Sequence, residues 1–183
     1  MRISGGDKKG HKLLWDVSGT RPMREFVRIA LFNILQKVVI GARFLDLFAG
    51  TGSVGLEALS RRAAEVLFVD HSAAACAIIR KNLKALQLVS YGRVYQEDFL
   101  DALDRFYRRG RSFEIIFVGP PYNAGLADQA IQKLGELPLV AEDGIVVTEV
   151  YKREAMKEIY NDLILFDRRE YNDNLLLFYR RAD

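Results

Sequence analysis

The sequence predicts an α/β protein with a mostly parallel, doubly wound sheet of seven strands that ends in an antiparallel hairpin. Three observations lead there. From residue 43 onward, apolar runs of strand length alternate with amphipathic stretches of helix length, and strands joined through helices run parallel. A glycine-rich turn, Gly50-Thr51-Gly52-Ser53-Val54-Gly55, lies between the first such strand and the first such helix. The last two strand-like runs have no helix between them, only Asn172-Asp173-Asn174, residues that favour a tight turn.

Taken in order, residues 1–20 carry four of the fourteen glycines and little periodicity. They read as an extended arm or hairpin turning near Gly10. Thr20-Arg21-Pro22 reads as a helix start, with Pro22 near the first helical position. Phe26, Ile29, Ala30, Phe32, Ile34 and Leu35 then recur at helical spacing to about Lys37. Strands follow over 43–48, 65–69, 92–96, 113–118 and 144–150. The helices between them span 53–61, 72–86, 99–108 and 127–134. Residues 162–170 and 175–180 form the closing hairpin. The chain divides into a basic arm, 1–20, and one domain, 21–183.

The bulk properties narrow the function. A length of 183 residues supports one domain with a real core. No apolar run approaches the roughly 20 residues that span a bilayer. The start is polar and basic, without a signal core. The lone cysteine, Cys76, forms no internal disulfide and fits a reducing, cytoplasmic setting. Two histidines and one cysteine, far apart, give no expected metal site. Charge is placed unevenly. Residues 1–28 hold seven basic and three acidic side chains, whereas the remainder holds 20 basic and 21 acidic. A basic segment on a near-neutral domain suits a polyanion such as nucleic acid, or is simply a solvated surface.

The glycine turn satisfies G-x-G-x-x-G, and Asp70 follows Gly50 by twenty residues at the end of the next strand. That combination marks a nucleoside cofactor. It fits a dinucleotide oxidoreductase as well as a methyltransferase, since both place an acid on the ribose hydroxyls. Three features favour S-adenosylmethionine. Asp46 precedes the glycines at the strand end, where a carboxylate holds an ammonium but repels a pyrophosphate. Asp98 and Phe99 follow the third strand: Asp98 is either an acceptor for the adenine amine or a helix N-cap, and Phe99 can pack on the ring. Gly119-Pro120-Pro121-Tyr122 ends the fourth strand. Its prolines leave carbonyls free as acceptors, and Tyr122 can stack on a base. His71 reads chiefly as a cap for the helix that follows. Trp15 either stacks on RNA or anchors the arm.

The chain resembles the bacterial RsmD-type family nearly end to end. Arg2-Ile3-Ser4-Gly5-Gly6 with Lys9-Gly10-His11-Lys12-Leu13 is similar to the family's N-terminal hairpin. Thr20-Arg21-Pro22 and Val27-Arg28-Ile29-Ala30-Leu31-Phe32-Asn33 resemble its first helix. Leu45-Asp46-Leu47-Phe48-Ala49-Gly50-Thr51-Gly52 and Gly55-Leu56-Glu57-Ala58-Leu59-Ser60-Arg61 resemble its cofactor loop and following helix. Tyr171-Asn172-Asp173 and Leu177-Phe178-Tyr179 fit its terminal hairpin. The resemblance implies a Rossmann-like class I methyltransferase fold and methylation of guanine N2 in ribosomal RNA of the small subunit, free or assembling, by a monomer.

On that reading Asp46, Phe48, Gly50, Gly52, Asp70, His71, Asp98 and Phe99 bind S-adenosylmethionine. Gly119, Pro120, Pro121 and Tyr122 form the catalytic loop. Arg2, Lys8, Lys9, Lys12, Arg21 and Arg24 hold RNA. One departure matters: the family's loop normally begins with Asp, and this chain has Gly119. A catalytically weak or silent cofactor and RNA binder therefore stands as an alternative. So does an amino-methyltransferase acting on DNA, although no segment resembles a DNA target-recognition domain.

Overall fold

A computed structural model describes residues 1–15 and 22–182. One eight-stranded sheet runs through it in the order β3-β2-β1-β4-β5-β8-β7-β6. The parallel strands are β1 (Arg43–Leu47), β2 (Glu65–Asp70), β3 (Gly92–Gln96), β4 (Phe113–Val118) and β5 (Val140–Tyr151). The helices α1 (Glu25–Leu35), α2 (Ser53–Ser60), α3 (Ala73–Ala85), α4 (Phe99–Arg108) and α5 (Leu126–Glu136) connect or flank them. Antiparallel pairing then takes over: β7 (Leu163–Tyr171) turns into β8 (Asn174–Arg181), and β8 returns beside β5. The order reverses between β1 and β4, and such a switch point opens a crevice at the strands' carboxyl ends.

The elements differ from the sequence expectation in three places. First, α1 begins at Glu25, so Pro22 lies outside it; Arg24, with extended backbone, stands at the N-cap, and Met23 is buried instead. Thr20 and Arg21 lie outside the described residues. Second, β5 starts at Val140, where it pairs with Phe113 before a register shift brings Ile145 beside Ile115. The shift hides this start from a period-two reading. Third, β6 (Ile159–Tyr160) adds an eighth strand at the edge, too short to leave a periodic signal.

Alternation along the strands sends side chains to two apolar layers. Phe44, Phe68, Ile115, Phe117 and Val147 meet α1, α2 and α3 on one face. Leu45, Leu67, Ile116, Val118 and Val146 meet α4 and α5 on the other. Gly55 lets α2 lie close: a Cβ there would stand 2.3 Å from the Phe68 ring.

The N-terminal residues form a short hairpin. Arg2 and Lys12 bridge, Ile3 N–H donates to the His11 carbonyl, and Gly10 N–H donates to the Ile3 carbonyl. A buried charge cluster fastens the hairpin to α1 and α2. The Glu57 carboxylate, fully buried, accepts from the Ser4 N–H at 2.9 Å, the Ser4 hydroxyl at 2.7 Å and Arg61 at 3.0 Å. It also stands 3.5 Å from the buried Arg28 guanidinium, which donates to the Arg2 carbonyl at 2.6 Å. Ser60 donates to the Gly5 carbonyl and accepts from the Lys8 N–H. Gly6 passes so close that a Cβ would lie 1.9 Å from the Ser60 carbonyl oxygen. Farther along, the buried Asn82 side chain clamps both backbone groups of Leu14.

Candidate active site

The switch-point crevice is a cleft of about 390 Å³. Each parallel strand from β1 to β5, β3 excepted, delivers a residue to it. From the end of β1 come Asp46 and Phe48, and from the end of β2 come Asp70 and His71. Phe117 and Gly119-Pro120-Pro121-Tyr122 arrive from β4, and Glu149 from β5.

Asp46 shares the face of Phe44 and is 1% exposed. Its Oδ2 accepts the Gly55 N–H at 2.9 Å, an otherwise unpaired donor of the first turn of α2. Burial pushes this carboxyl up to about 8; the Gly55 hydrogen bond opposes the shift, and the nearby Asp70 charge adds to it. Among the described residues no basic group pairs with this acid. A cation entering the cleft provides a counter-charge.

Asp70 is held from both sides. Oδ2 accepts the Gly50 N–H and Oδ1 the Ser72 N–H, each at 2.8 Å. Each carboxylate oxygen has a second lone pair, so Asp70 can also accept from hydroxyl groups. Its ties pin the glycine turn to β2. Gly52 caps α2 with φ at +79°, a left-handed backbone that suits glycine.

Of the residues read from the sequence as cofactor-binding, Asp46, Phe48, Gly50, Asp70 and His71 line the cleft, and Gly52 supports its loop from behind. Asp98 and Phe99 do not line it. Asp98 caps α4, accepting the Leu100 N–H at 2.8 Å. Phe99 is 7% exposed and packs against Phe48, ring centroids 4.8 Å apart, so it reaches the cleft only through Phe48. His71 does not cap α3. Ser72 does, accepting the Ala75 N–H, and His71 stays exposed 3.7 Å from Asp70.

The proline loop forms the opposite wall. Gly119 N–H donates to the Leu47 carbonyl, and the Thr148 hydroxyl donates to the Val118 carbonyl, which fixes the end of β4. A Cβ on Gly119 would meet the Phe117 ring at 2.6 Å. Tyr122 Oη accepts from Asn174 Nδ2 at 2.9 Å, and the same nitrogen donates to Glu149 Oε1 at 2.7 Å.

Glu149, 5% exposed, was missed by sequence reasoning. The signal was its place near the carboxyl end of a parallel strand, where this class of sheet gathers ligands. Of the basic residues, Arg2, Lys9, Lys12 and Arg24 are exposed and Lys8 is half-buried. Arg21 lies outside the described residues. Trp15 is half exposed, so it does not anchor the hairpin by burial. Among the described residues no cluster of three or more His, Cys, Asp or Glu is placed to hold a metal.

Comparison with known proteins shows the family of the chain. The family model described as "Conserved hypothetical protein 95" matches residues 1–180. Ribosomal RNA small subunit methyltransferase D of Escherichia coli K12 is 36% identical over 150 residues, covering 81% of this chain and 74% of that protein. The chain belongs to this RsmD-type family. A Bacillus subtilis relative, YlbH, is 34% identical over 183 residues and 99% of both chains. The solved structure of Escherichia coli yhhF superposes with a TM-score of 0.87 at 31% identity, over 99% of this chain and 97% of that one. More distant structures share the fold alone, among them SMU.776, solved with S-adenosylhomocysteine, with a TM-score of 0.68 at 16% identity over 82% of this chain. The RsmD-type chain thus has the Rossmann-like methyltransferase fold expected from its sequence.

Proposed function

We propose that this protein methylates an exocyclic amine of an RNA base, the N2 of a guanine in small-subunit ribosomal RNA. One observation carries the reading: a single cleft joins the Asp46 and glycine-turn end to the Gly119–Tyr122 end, so a bound nucleoside and a target base meet there. The cofactor is S-adenosylmethionine, which supplies an electrophilic methyl group on a sulfonium. The residues present fit it. Asp46 answers the methionine ammonium, which is the counter-charge its burial calls for. Gly50 allows close backbone approach, and Gly52 holds the turn behind it. Asp70 accepts from the ribose hydroxyls, and Phe48, backed by Phe99, offers an aromatic wall.

On the other side, Tyr122 presents its ring to the base, and the Pro120 carbonyl can accept from the amine. The base leaves its stack to reach them. Arg2, Lys8, Lys9, Lys12 and Arg24 hold phosphates on the hairpin side, which sets register without reading sequence.

Gly119 favours a second reading, a cofactor and RNA binder with little transfer, because it supplies no side-chain acceptor. Loss of an acid–base group of that kind costs about 10² to 10⁴ in rate. Transfer from labelled S-adenosylmethionine to undermodified small-subunit RNA, with nucleotide mapping, decides between them. Label on a guanine N2 at ordinary rates supports the enzyme. Tight RNA and S-adenosylhomocysteine binding without transfer supports the binder. Binding of NAD in place of S-adenosylhomocysteine overturns both.

A further inference from the structure

We propose that Glu149 is the catalytic carboxylate of this protein, accepting a hydrogen bond from the target amine beside Gly119. The inference rests on the methyltransferase reading above and adds a residue to it.

Strand register carries the argument. In the parallel pair of β4 and β5, Val118 stands beside Thr148. One step onward along each strand are Gly119 and Glu149, so the two are neighbours across the ladder and their side-chain positions share a face. That face is the one occupied by Phe117 and Val147, and on β1 by Phe44 and Asp46. Gly119 and Glu149 both line the cleft. What Gly119 lacks is therefore present one strand away.

Glu149 is also aimed. It is 95% buried, and Asn174 Nδ2 holds Oε1 at 2.7 Å while donating to the Tyr122 hydroxyl at 2.9 Å. Asn174 thus ties the carboxylate to the aromatic ring proposed to carry the base. A base placed by Tyr122 is placed relative to Glu149. Asn174 opens β8, directly after the turn Asn172-Asp173, and pairs with Tyr151 across the β5–β8 ladder. The closing hairpin is what brings this link to the cleft.

Glu149 accepts a hydrogen bond from the amine and orients its lone pair. As the nitrogen–carbon bond forms, the sulfur–carbon bond breaks and sulfur keeps the electron pair. The nitrogen then sheds a proton to Glu149, which returns it to water. Neither an oxidant nor a metal is needed.

The test compares wild type with Glu149→Gln, which keeps shape and hydrogen bonding but loses the charge. Single-turnover transfer to undermodified small-subunit RNA is expected to fall about 10²-fold or more, while S-adenosylhomocysteine affinity and melting temperature hold. A second readout needs no turnover. With S-adenosylhomocysteine bound, wild type is expected to prefer guanosine over inosine, which lacks the amine, by about tenfold, as a charge-assisted hydrogen bond allows; Glu149→Gln loses that preference. If Glu149→Gln folds poorly, Glu149→Asp keeps the charge one methylene back, and its rate should lie between the two. Gln at the wild-type rate, or wild type without a guanosine preference, overturns the role of Glu149 and leaves the methyltransferase reading standing. Wild type that transfers no methyl group overturns both.

Discussion

Asp46 offers the sharpest test of the cofactor end. Its carboxyl is pushed up to about 8 because burial disfavours its charge, so below that pH it is neutral in the free protein. Pairing with the methionine ammonium requires the ionised form. Binding therefore releases a proton, and affinity rises with pH. Each pH unit below the titration point is worth about 1.4 kcal/mol, so from about pH 5.5 to about pH 7 affinity should rise about thirtyfold, roughly 2 kcal/mol. Calorimetry with S-adenosylhomocysteine measures this, and buffers of different ionisation enthalpy count the proton. His71 also lines the cleft, so the series is run in a His71→Gln background. Asp46→Asn should bind weakly and with little pH slope. A flat wild-type profile, or an Asp46→Asn profile as steep as wild type, would refute the assignment. The sign for stability is opposite. The raised carboxyl favours the fold when protonated; that contribution is full below the unfolded value of about 3.9 and is lost as pH rises through about 8. Asp46→Asn should accordingly melt higher than wild type above that pH.

Glu57→Ala leaves Arg28 buried without its carboxylate and should cost about 3–5 kcal/mol in denaturant unfolding; a loss under about 1 kcal/mol would show the cluster to be unimportant. Replacing Lys8, Lys9 and Lys12 together with Ala should reduce the salt slope of RNA binding by about two to three and leave S-adenosylhomocysteine affinity unchanged. Gly119→Asp forces the Phe117 ring aside and should destabilise the fold by about 1–3 kcal/mol, read as a lowered denaturation midpoint; an unchanged midpoint means the ring yields freely.

Much of this was legible in the sequence because the informative residues are local. Asp46, the glycine turn and Asp70 lie within 25 residues, counted inclusively, and their strand-turn-helix setting fixes what they face. Asp98 shows where local reading divides: a residue that caps a helix and one that meets a ligand carry the same signature, and the hydrogen bond to Leu100 shows the cap. Glu149 was hidden for another reason. It stands in an apolar run, Ile145-Val146-Val147-Thr148-Glu149-Val150, and only the β4–β5 pairing reveals its neighbour. Arg28 and Glu57 likewise look like ordinary helix charges. Their burial depends on the hairpin, which the helical period does not describe.

The two halves of α2 have different attachments. Asp46 takes the N–H of Gly55, the third residue of the helix, while Glu57, the fifth, and Ser60, the last, grip the hairpin. Eight residues, about 12 Å of helix, therefore form one strut between the cleft and the hairpin. Cutting away the arm would expose the buried Arg28 on one side of that strut and disturb the cleft on the other. Loss of methylation in a truncated protein would then say nothing about RNA contact. Charge reversal on the exposed lysines leaves the strut intact and is the cleaner way to ask what the arm touches.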